Sequence, residues 1–222
     1  MQFLKVFILM IFIGLMVLLN SRPWHDEQYT SKNVSEYSYS DILMGKLPEG
    51  CNGPLWYLIE KPLGLTGSRV LSVAFMSLAG ALMGWWGFGL LSVKITWQHI
   101  AEARPYALVV LLTTWQWLCV VGRSKGLWLV NILMAFTHSI CVVPIVLASL
   151  VTRKWQTAIL PIIILSFYFH QLQYGPGIFR MSGYSNRYFI YLVPMEIILL
   201  KEVYERCFNK TRRHIWARTI ME

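Results

Sequence analysis

Long apolar segments are the feature of this sequence that most limits how the chain can fold. The first of them, residues 1–20, carries one charged residue, Lys5, and otherwise consists mainly of Phe, Leu, Ile, Val and Met. As a helix it extends about 30 Å, enough to cross the hydrocarbon core of a bilayer. The whole chain of 222 residues is 56% hydrophobic with a mean hydropathy of +0.49, which is high for a soluble domain. The sequence therefore predicts an integral membrane protein.

The remaining apolar stretches predict an all-α polytopic membrane protein, a bundle of about 6–8 transmembrane helices. These stretches are residues 70–93, 107–121, 127–151, 158–170 and 188–200. The predicted organisation is a first transmembrane helix (1–20), an extracytoplasmic catalytic loop (21–69), a membrane helical bundle (70–203) and a basic cytoplasmic tail (204–222).

The segment before the loop and the loop itself carry further expectations. Residues 18–22 lack the small-residue pattern of a signal-peptide cleavage site, so an uncleaved anchor is expected rather than a cleaved signal peptide. Within the loop, residues 35–44 are expected to form a short surface helix. Residues 54–59 contain Trp and Tyr and predict a helix at the membrane interface.

Two topologies fit the apolar stretches. One has six simple crossings and puts Arg104 on the cytoplasmic side, and it also places basic residues of the next loop outside, against the usual charge asymmetry. The other divides two of the stretches into hairpins of short helices and gives eight crossings. In this second topology Arg104, His138 and Arg187 share the outer side with Asp26. The charge asymmetry favours it, although such short crossings require a thinned bilayer or burial in the bundle.

The net charge of +9 comes from basic residues in short loops and in the tail, as is typical of the cytoplasmic side of membrane proteins. Membrane lipids are therefore expected partners, and nucleic acid is not, because no RNA-binding motif is present. The four cysteines form no CxxC pair, so neither a disulfide framework nor a metal cluster is predicted. Nucleotide-binding and zinc-hydrolase motifs are lacking; no cofactor is expected, and a divalent metal ion is left open.

Two acids, Asp26 and Glu27, follow the first apolar segment closely. At the exit of a transmembrane helix they lie at the membrane surface, where a hydroxyl acceptor in water meets a reagent dissolved in lipid. They are the candidate catalytic residues. A solvated turn at a helix end is the alternative interpretation.

Residues 102–106 place Glu102, Arg104 and Tyr106 between two strongly apolar stretches, a setting in which ionisable groups are costly and tend to be functional. Pro105 is suited to the start of a helix. Arg104 then lies just before a helix N-terminus, which favours an anion such as a phosphate headgroup. An ordinary loop ion pair between Glu102 and Arg104 is the alternative.

Arg187 and Tyr188 repeat this arrangement before the last apolar stretch. They are candidate phosphate-binding residues, with interfacial anchoring as the alternative. His138 interrupts an apolar stretch, and a lone histidine of this kind is more often a hydrogen-bonded core residue than a ligand. It is kept, with Glu102 and Lys61, as a candidate for contact with the substrate.

The order of these motifs resembles the GT-C superfamily of polytopic membrane glycosyltransferases, most of all its protein-mannosyltransferase and aminoarabinose-transferase-like branch. The matching features are a first span, Asp-Glu at residue 26, Pro-Leu-Trp-Tyr-Leu from residue 54, Glu-Ala-Arg-Pro-Tyr-Ala-Leu from residue 102, a later histidine, and Arg-Tyr at residue 187 before a last span containing Pro194. The resemblance covers residues 3–200, in a chain shorter than is usual for the family.

The resemblance implies a glycosyltransferase that moves a sugar from a polyprenyl- or dolichyl-phosphate donor to an acceptor hydroxyl on the non-cytoplasmic side. Asp26 is then the general base, with Glu27 beside it, and Arg104 with Tyr106 contacts the lipid phosphate. The later Arg-Tyr pair occupies the family's second such position. The implied partners are the lipid-linked donor and a glycan, lipid or protein acceptor, and a membrane protein partner is left open.

A second hypothesis is a catalytically inactive relative that binds lipid headgroups or acts as a scaffolding membrane subunit. A small transporter ranks third, since residues 107–121 offer few polar side chains. Short loops and the lack of an organelle-retention signal favour the bacterial inner membrane, with the endoplasmic reticulum membrane as the alternative.

Overall fold

The computed structural model describes residues 2–47, 53–92, 99–122, 124–172 and 193–199, together with 201 and 204. Within these residues the chain forms helices and no β-strand, so the all-α part of the predicted fold is confirmed. The helices are α1 (Gln2–Asn20), α2 (His25–Glu36), α3 (Tyr39–Leu43), α4 (Pro54–Met83), α5 (Gly89–Ser92), α6 (Tyr106–Val121), α7 (Leu127–Thr137), α8 (Val142–Thr152) and α9 (Gln156–Leu172), with 3₁₀ turns at Gly84–Phe88 and Ser139–Cys141.

The predicted bundle of 6–8 transmembrane helices is wrong. In the described part of the chain, two helical stretches are long and apolar enough to cross a membrane, Gln2–Asn20 and Pro54–Ser92. Four shorter apolar helices have 10–17 residues. At 1.5 Å per residue such helices extend about 15–26 Å, which is less than the hydrocarbon thickness of about 30 Å.

Breaks in the backbone explain why apolar stretches of the sequence become short helices. Gly84, with φ +67°, ends α4, in a conformation that glycine adopts without steric cost. His138 is extended and ends α7. Arg153, with φ +56°, is left-handed and ends α8. The mainly apolar residues 127–151 therefore form two helices, which are separated at His138.

The predicted helices of the loop are partly correct. The expected helix over 35–44 is instead the last residues of α2 followed by α3, with Ser38 capping α3 through its side-chain oxygen. The expected helix over 54–59 is present as the start of α4, with Pro54 in the first turn. It continues beyond residue 59 to a break at Gly64, where φ is +63°.

Helix α1 packs antiparallel against the second part of α4. The Val73 side chain fills the space that a Cβ atom at Gly14 would occupy, and the Met10 side chain lies against Gly80. These glycines let the two apolar helices approach closely, which favours van der Waals packing where both neighbours are apolar. The packing brings Arg69, near the start of this part of α4, next to the residue that follows α1.

A chain of buried polar side chains joins the four helices α6 to α9. Gln116 Nε2 donates to Asn131 Oδ1 at 2.7 Å, and Asn131 Nδ2 donates to the carbonyl oxygen of Thr157 at 3.0 Å. The hydroxyl oxygens of Ser149 and Thr157 lie 3.0 Å apart. All four residues are buried, so these bonds fix how the short apolar helices are aligned.

The packed helices together have two opposite ends, and both matter for function. We call one the Arg69 end: it holds residues 21–27, Arg69, residues 99–106 and His138. The other is the Arg153 end, which holds residues 124–126 before α7 and the turn 153–155 between α8 and α9. These two segments lie near each other because Asn131, early in α7, is bonded to Thr157, early in α9.

Gly53 lies in a close backbone contact between the start of α4 and the end of α7. Its N–H donates to the carbonyl oxygen of Thr137 at 2.8 Å, and a Cβ atom here would overlap the backbone carbonyl of Phe136. We expect Gly53→Ala to lower the free energy of unfolding by about 1–3 kcal/mol, since backbone must move to admit the methyl group. The measurement is thermal unfolding in detergent followed by circular dichroism.

The control for this change is Gly126→Ala. Its new methyl group would meet the Cys119 sulfur at 3.4 Å, an ordinary contact, and φ at this glycine is −65°. The control should stay within about 0.5 kcal/mol of the parent protein. Equal effects of the two substitutions would show that the Gly53 contact is unimportant.

Candidate functional site

The predicted acid pair lies in the first turn of α2, but its two members have different environments. Asp26 is half-buried, whereas the side chain of Glu27 is 0% exposed. Glu27 Oε2 accepts from the N–H of Trp24, the residue before the helix, at 2.7 Å. Such a bond satisfies one of the free N–H groups at a helix start, where negative charge is also favoured.

Three buried side chains hold the backbone of residues 101–103. Glu27 Oε1 accepts from the N–H of Ala103 at 2.6 Å. Arg69 Nε donates to the carbonyl of Ala101 at 2.8 Å, and Ser72 Oγ donates to the carbonyl of Glu102 at 2.6 Å. Each of these successive residues is therefore fixed immediately before Arg104.

Arg69 also joins this segment to the end of α1. Its terminal nitrogens lie 3.2 Å from the carbonyl oxygen of Ser21, and Nη2 donates to Ser21 Oγ at 2.7 Å. Its Nε lies 3.3 Å from Glu27 Oε1. A buried guanidinium needs such a set of acceptors and a counter-charge to offset its lost hydration.

Burial raises the pKa of the Glu27 carboxyl above its ordinary value. The N–H groups of Ala103 and Trp24 and the charge of Arg69 act in the opposite direction and favour the ionised form. Both oxygens of Glu27 are occupied by these donors. The geometry thus gives Glu27 a positioning function and leaves Asp26 as the acid of the pair with the greater exposure.

Arg104 lies beside α2. Its Nη1 donates to Thr30 Oγ1 at 2.6 Å, and Thr30 Oγ1 donates in turn to the backbone carbonyl of Asp26 at 2.9 Å. Arg104 and Asp26 are both half-buried. The structure therefore brings the candidate base and the candidate phosphate-binding arginine to one place, connected through a single threonine hydroxyl.

A row of buried rings extends from this place. The His99 ring centroid lies 4.5 Å from that of Tyr106, which lies 6.0 Å from that of His138. Glu102 is paired with His99 through Oε2 and Nδ1. Tyr106 and Glu102, predicted to contact phosphate and substrate, are only 5% and 4% exposed, so neither side chain presents much surface to a ligand.

One ring nitrogen of His99, the buried Nε2, has no hydrogen-bond partner among the residues that the structure describes. The pairing with Glu102 engages the other nitrogen, Nδ1. The carboxylate thereby fixes the orientation of an imidazole whose Nε2 remains available to a small polar molecule.

His138 is neutral in the folded protein. Its Nδ1 accepts from the N–H of Ile140 at 3.0 Å. Burial lowers the pKa of His138 to about 3, and the nearby positive charge of Arg104 acts in the same direction. At neutral pH it therefore adds no positive charge to the site.

Lys61 lies at the other end of α2. Its ammonium group donates to the carbonyl oxygens of Val34 at 2.9 Å, Ser35 at 3.2 Å and Tyr37 at 2.7 Å. A cation at this position stabilises the unpaired carbonyls and the negative end of the helix. Because its three N–H groups are used there, the structure gives Lys61 a capping role, away from Asp26.

Two of the predicted residues, Arg187 and Tyr188, lie outside the described residues. In the part of the chain that the structure describes, no group of three or more His, Cys, Asp and Glu side chains is placed to hold a metal ion. No family model, no curated protein and no solved structure matches this chain.

Sequence reasoning missed four residues of this site: Arg69, Ser72, Thr30 and, as a member of a pair, His99. A signal for Arg69 exists, since a charged residue at the edge of a long apolar segment is costly and needs a partner. Nothing in the sequence identifies that partner. Ser72 and Thr30 are common residue types whose roles depend on contacts 30 and 74 residues away in the chain.

The neighbouring acids provide a first test of this geometry. We expect Glu27→Gln to lower the free energy of unfolding by about 3 kcal/mol, because it leaves Arg69 buried without a counter-charge and turns an amide donor toward other donors. Asp26→Asn, the matched change at the half-buried neighbour, should cost no more than about 0.5 kcal/mol. Chemical unfolding in detergent measures both, and equal losses would contradict the division between the two acids.

The lowered pKa of His138 predicts a pH dependence of stability. The ordinary value is 6.5 and the folded value about 3, so between these values the unfolded chain binds a proton that the folded protein does not. His138 therefore stabilises fully above about pH 6.5 and loses this contribution as the pH falls toward 3, by at most about 1.4 kcal/mol per pH unit.

The variant His138→Asn removes the titrating group and keeps an oxygen to accept from Ile140 N–H. Its deficit relative to the parent protein should therefore shrink between pH 7.5 and pH 4.5. Unfolding curves at the two pH values measure this difference. A deficit that is independent of pH would show that His138 is not protected from protonation.

Proposed function

We propose that this protein transfers a sugar from a lipid-phosphate donor to an acceptor hydroxyl at the Arg69 end. One observation carries the proposal: two half-buried residues of opposite charge, Asp26 and Arg104, are both bonded to Thr30. The Thr30 hydroxyl accepts from Arg104 Nη1 at 2.6 Å and donates to the backbone carbonyl of Asp26 at 2.9 Å. Asp26 follows α1 closely, and α1 is one of two stretches in the described part of the chain that are long and apolar enough to cross a membrane.

Arg104 is suited to bind the donor phosphate. Three bonds fix the backbone of residues 101–103, immediately before Arg104. The guanidinium itself donates to Thr30 Oγ1, so it is held in place before a ligand arrives. Guanidinium groups bind phosphate with paired, charge-assisted hydrogen bonds. A preorganised cation also stabilises the negative charge that builds up on the phosphate as the bond to the sugar breaks.

Asp26 is suited to act as the general base. The acceptor oxygen bonds to the anomeric carbon while the bond from that carbon to the phosphate oxygen breaks, and the phosphate leaves with the electron pair. The hydroxyl proton passes to the Asp26 carboxylate. Glu27 supports this reaction indirectly, because its bonds to Trp24 and Ala103 fix both the start of α2 and the segment that carries Arg104.

The proposed setting is a multi-pass membrane protein in which α1 and the part of Pro54–Ser92 that follows Arg69 cross the bilayer. The Arg69 end then faces the non-cytoplasmic side, where a polyprenyl-phosphate sugar presents its headgroup. A bacterial inner membrane fits this arrangement, and a glycan, lipid or protein supplies the acceptor hydroxyl.

The test is sugar transfer by the full chain in proteoliposomes that contain polyprenyl-phosphate sugars, with release of polyprenyl phosphate as the readout. We expect Asp26→Asn to reduce the rate by about 100-fold or more, the contribution typical of a general base. Asp41→Asn is the matched control: Asp41 is half-buried on α3 and its carboxylate binds Ser38 and Lys46. This control should transfer at the parent rate.

Arg104→Lys separates binding from positioning. It keeps the positive charge and loses the planar pair of donors, so transfer should fall while the protein remains folded.

Transfer that is unchanged in Asp26→Asn would contradict the assigned base. If the parent protein binds the lipid donor and releases no polyprenyl phosphate with any acceptor, the inactive lipid-binding relative becomes the better description.

A further inference from the structure

The turn between α8 and α9 has an unusual residue at its centre. The N–H of Arg153 bonds to the carbonyl of Leu150 and the N–H of Lys154 to the carbonyl of Ser149, both at 3.1 Å. This is the Schellman arrangement, which ends a helix with one residue in the left-handed conformation. That residue is usually glycine. Here it is Arg153, the only non-glycine residue with positive φ in the described part of the chain.

A side chain at this position opposes the local backbone preference. The left-handed conformation brings Cβ close to the following carbonyl oxygen, a contact that glycine avoids. The turn geometry thus accounts for a glycine but not for an arginine. An unfavourable backbone conformation of this kind points to a function of the side chain.

The surroundings of Arg153 indicate what the side chain binds. Lys154 follows it, and Lys125 lies in the other turn of the same end. None of the three basic residues takes part in an ion pair within the described residues. Two tryptophans flank them with large exposed surfaces, Trp155 at 56% and Trp128 at 49%.

We propose that the Arg153 end binds the phosphate groups of anionic phospholipid headgroups, through Lys125, Arg153 and Lys154. Basic residues near a bilayer attract anionic lipids, and indole rings favour the headgroup level. A soluble anion or an acidic protein fits less well, because both tryptophans lie beside the cations and neighbouring side chains such as Leu129 and Val151 are exposed and apolar. This site is at the opposite end from Asp26 and does not depend on sugar transfer.

The experiment uses the full chain in nanodiscs of phosphatidylcholine alone or with one third phosphatidylglycerol. The parent protein should unfold at a higher temperature with phosphatidylglycerol and retain that lipid in native mass spectrometry. The triple variant Lys125→Gln, Arg153→Gln, Lys154→Gln should lose the temperature shift, with retention reduced about tenfold or more, in line with the attraction of single basic residues to anionic membranes.

A second triple variant controls for net charge. The variant Arg22→Gln, Lys32→Gln, Lys46→Gln removes the same amount of positive charge from three exposed side chains within 21–47. It should keep the temperature shift that phosphatidylglycerol causes in the parent protein. Equal losses in both triples would overturn the proposal in favour of a general charge effect. Inorganic phosphate added to phosphatidylcholine nanodiscs separates the two sources of the anion: a shift as large as that from phosphatidylglycerol would assign the site to free phosphate.

Arg153→Gly distinguishes lipid binding from simple structural support. Glycine relieves the left-handed backbone, so this variant should unfold at a higher temperature than the parent in phosphatidylcholine. Its additional stabilisation by phosphatidylglycerol should nevertheless be smaller than that of the parent. If the stabilisation by phosphatidylglycerol is as large as in the parent, Arg153 does not contact the lipid and the proposal fails.

Discussion

The buried pair of Glu27 and Arg69 is the interaction on which the arrangement of the Arg69 end depends. Its two charges come from α2 and α4, and the bonds of the same side chains reach Ser21 after α1 and residues 101–103 before α6. The loss of hydration of two buried charges is offset because they attract each other and because both side chains form hydrogen bonds with backbone groups around them. Three parts of the chain that are distant in sequence, residues 21–27, Arg69 and residues 101–103, therefore meet at one point, and their contacts place Arg104.

Helix geometry explains why adjacent acids have different functions. Consecutive residues of a helix point about 100° apart, so two neighbours do not share a face, and one can be buried while the other is partly exposed. Glu27 shares its face with Thr30 and Val34, three and seven residues further on, and all three are buried. Asp26 lies at the edge of that face. The buried acid can position the backbone, and the more exposed one can meet a substrate.

Part of this site follows from the sequence. The charge cluster at residues 102–106 and the acids after the first apolar segment stand out by composition alone, and the structure brings them together. The partners of Arg69 do not stand out, since they lie 32 and 48 residues away in the chain. The number of crossings was wrong for another reason: the short helices on either side of the expected breaks were counted as crossings. The helices before and after His138 have 11 residues each, which is too short to cross a hydrocarbon core of about 30 Å. The lengths of the helices depend on these breaks, which are set by backbone conformation.

The two ends of the structure handle charge in opposite ways. At the Arg69 end two arginines are engaged: Arg69 with Glu27 and backbone carbonyls, and Arg104 with Thr30. Such bonds fix geometry, which a reaction centre requires. At the Arg153 end the cations lie outside any ion pair of the described residues and beside exposed indoles. Cations outside such ion pairs keep their attraction for external anions, and a membrane surface supplies these in large number. The bonded arginines thus suit one end to a reaction. The cations of the other end, which form no ion pair with a described residue, suit that end to binding at a bilayer.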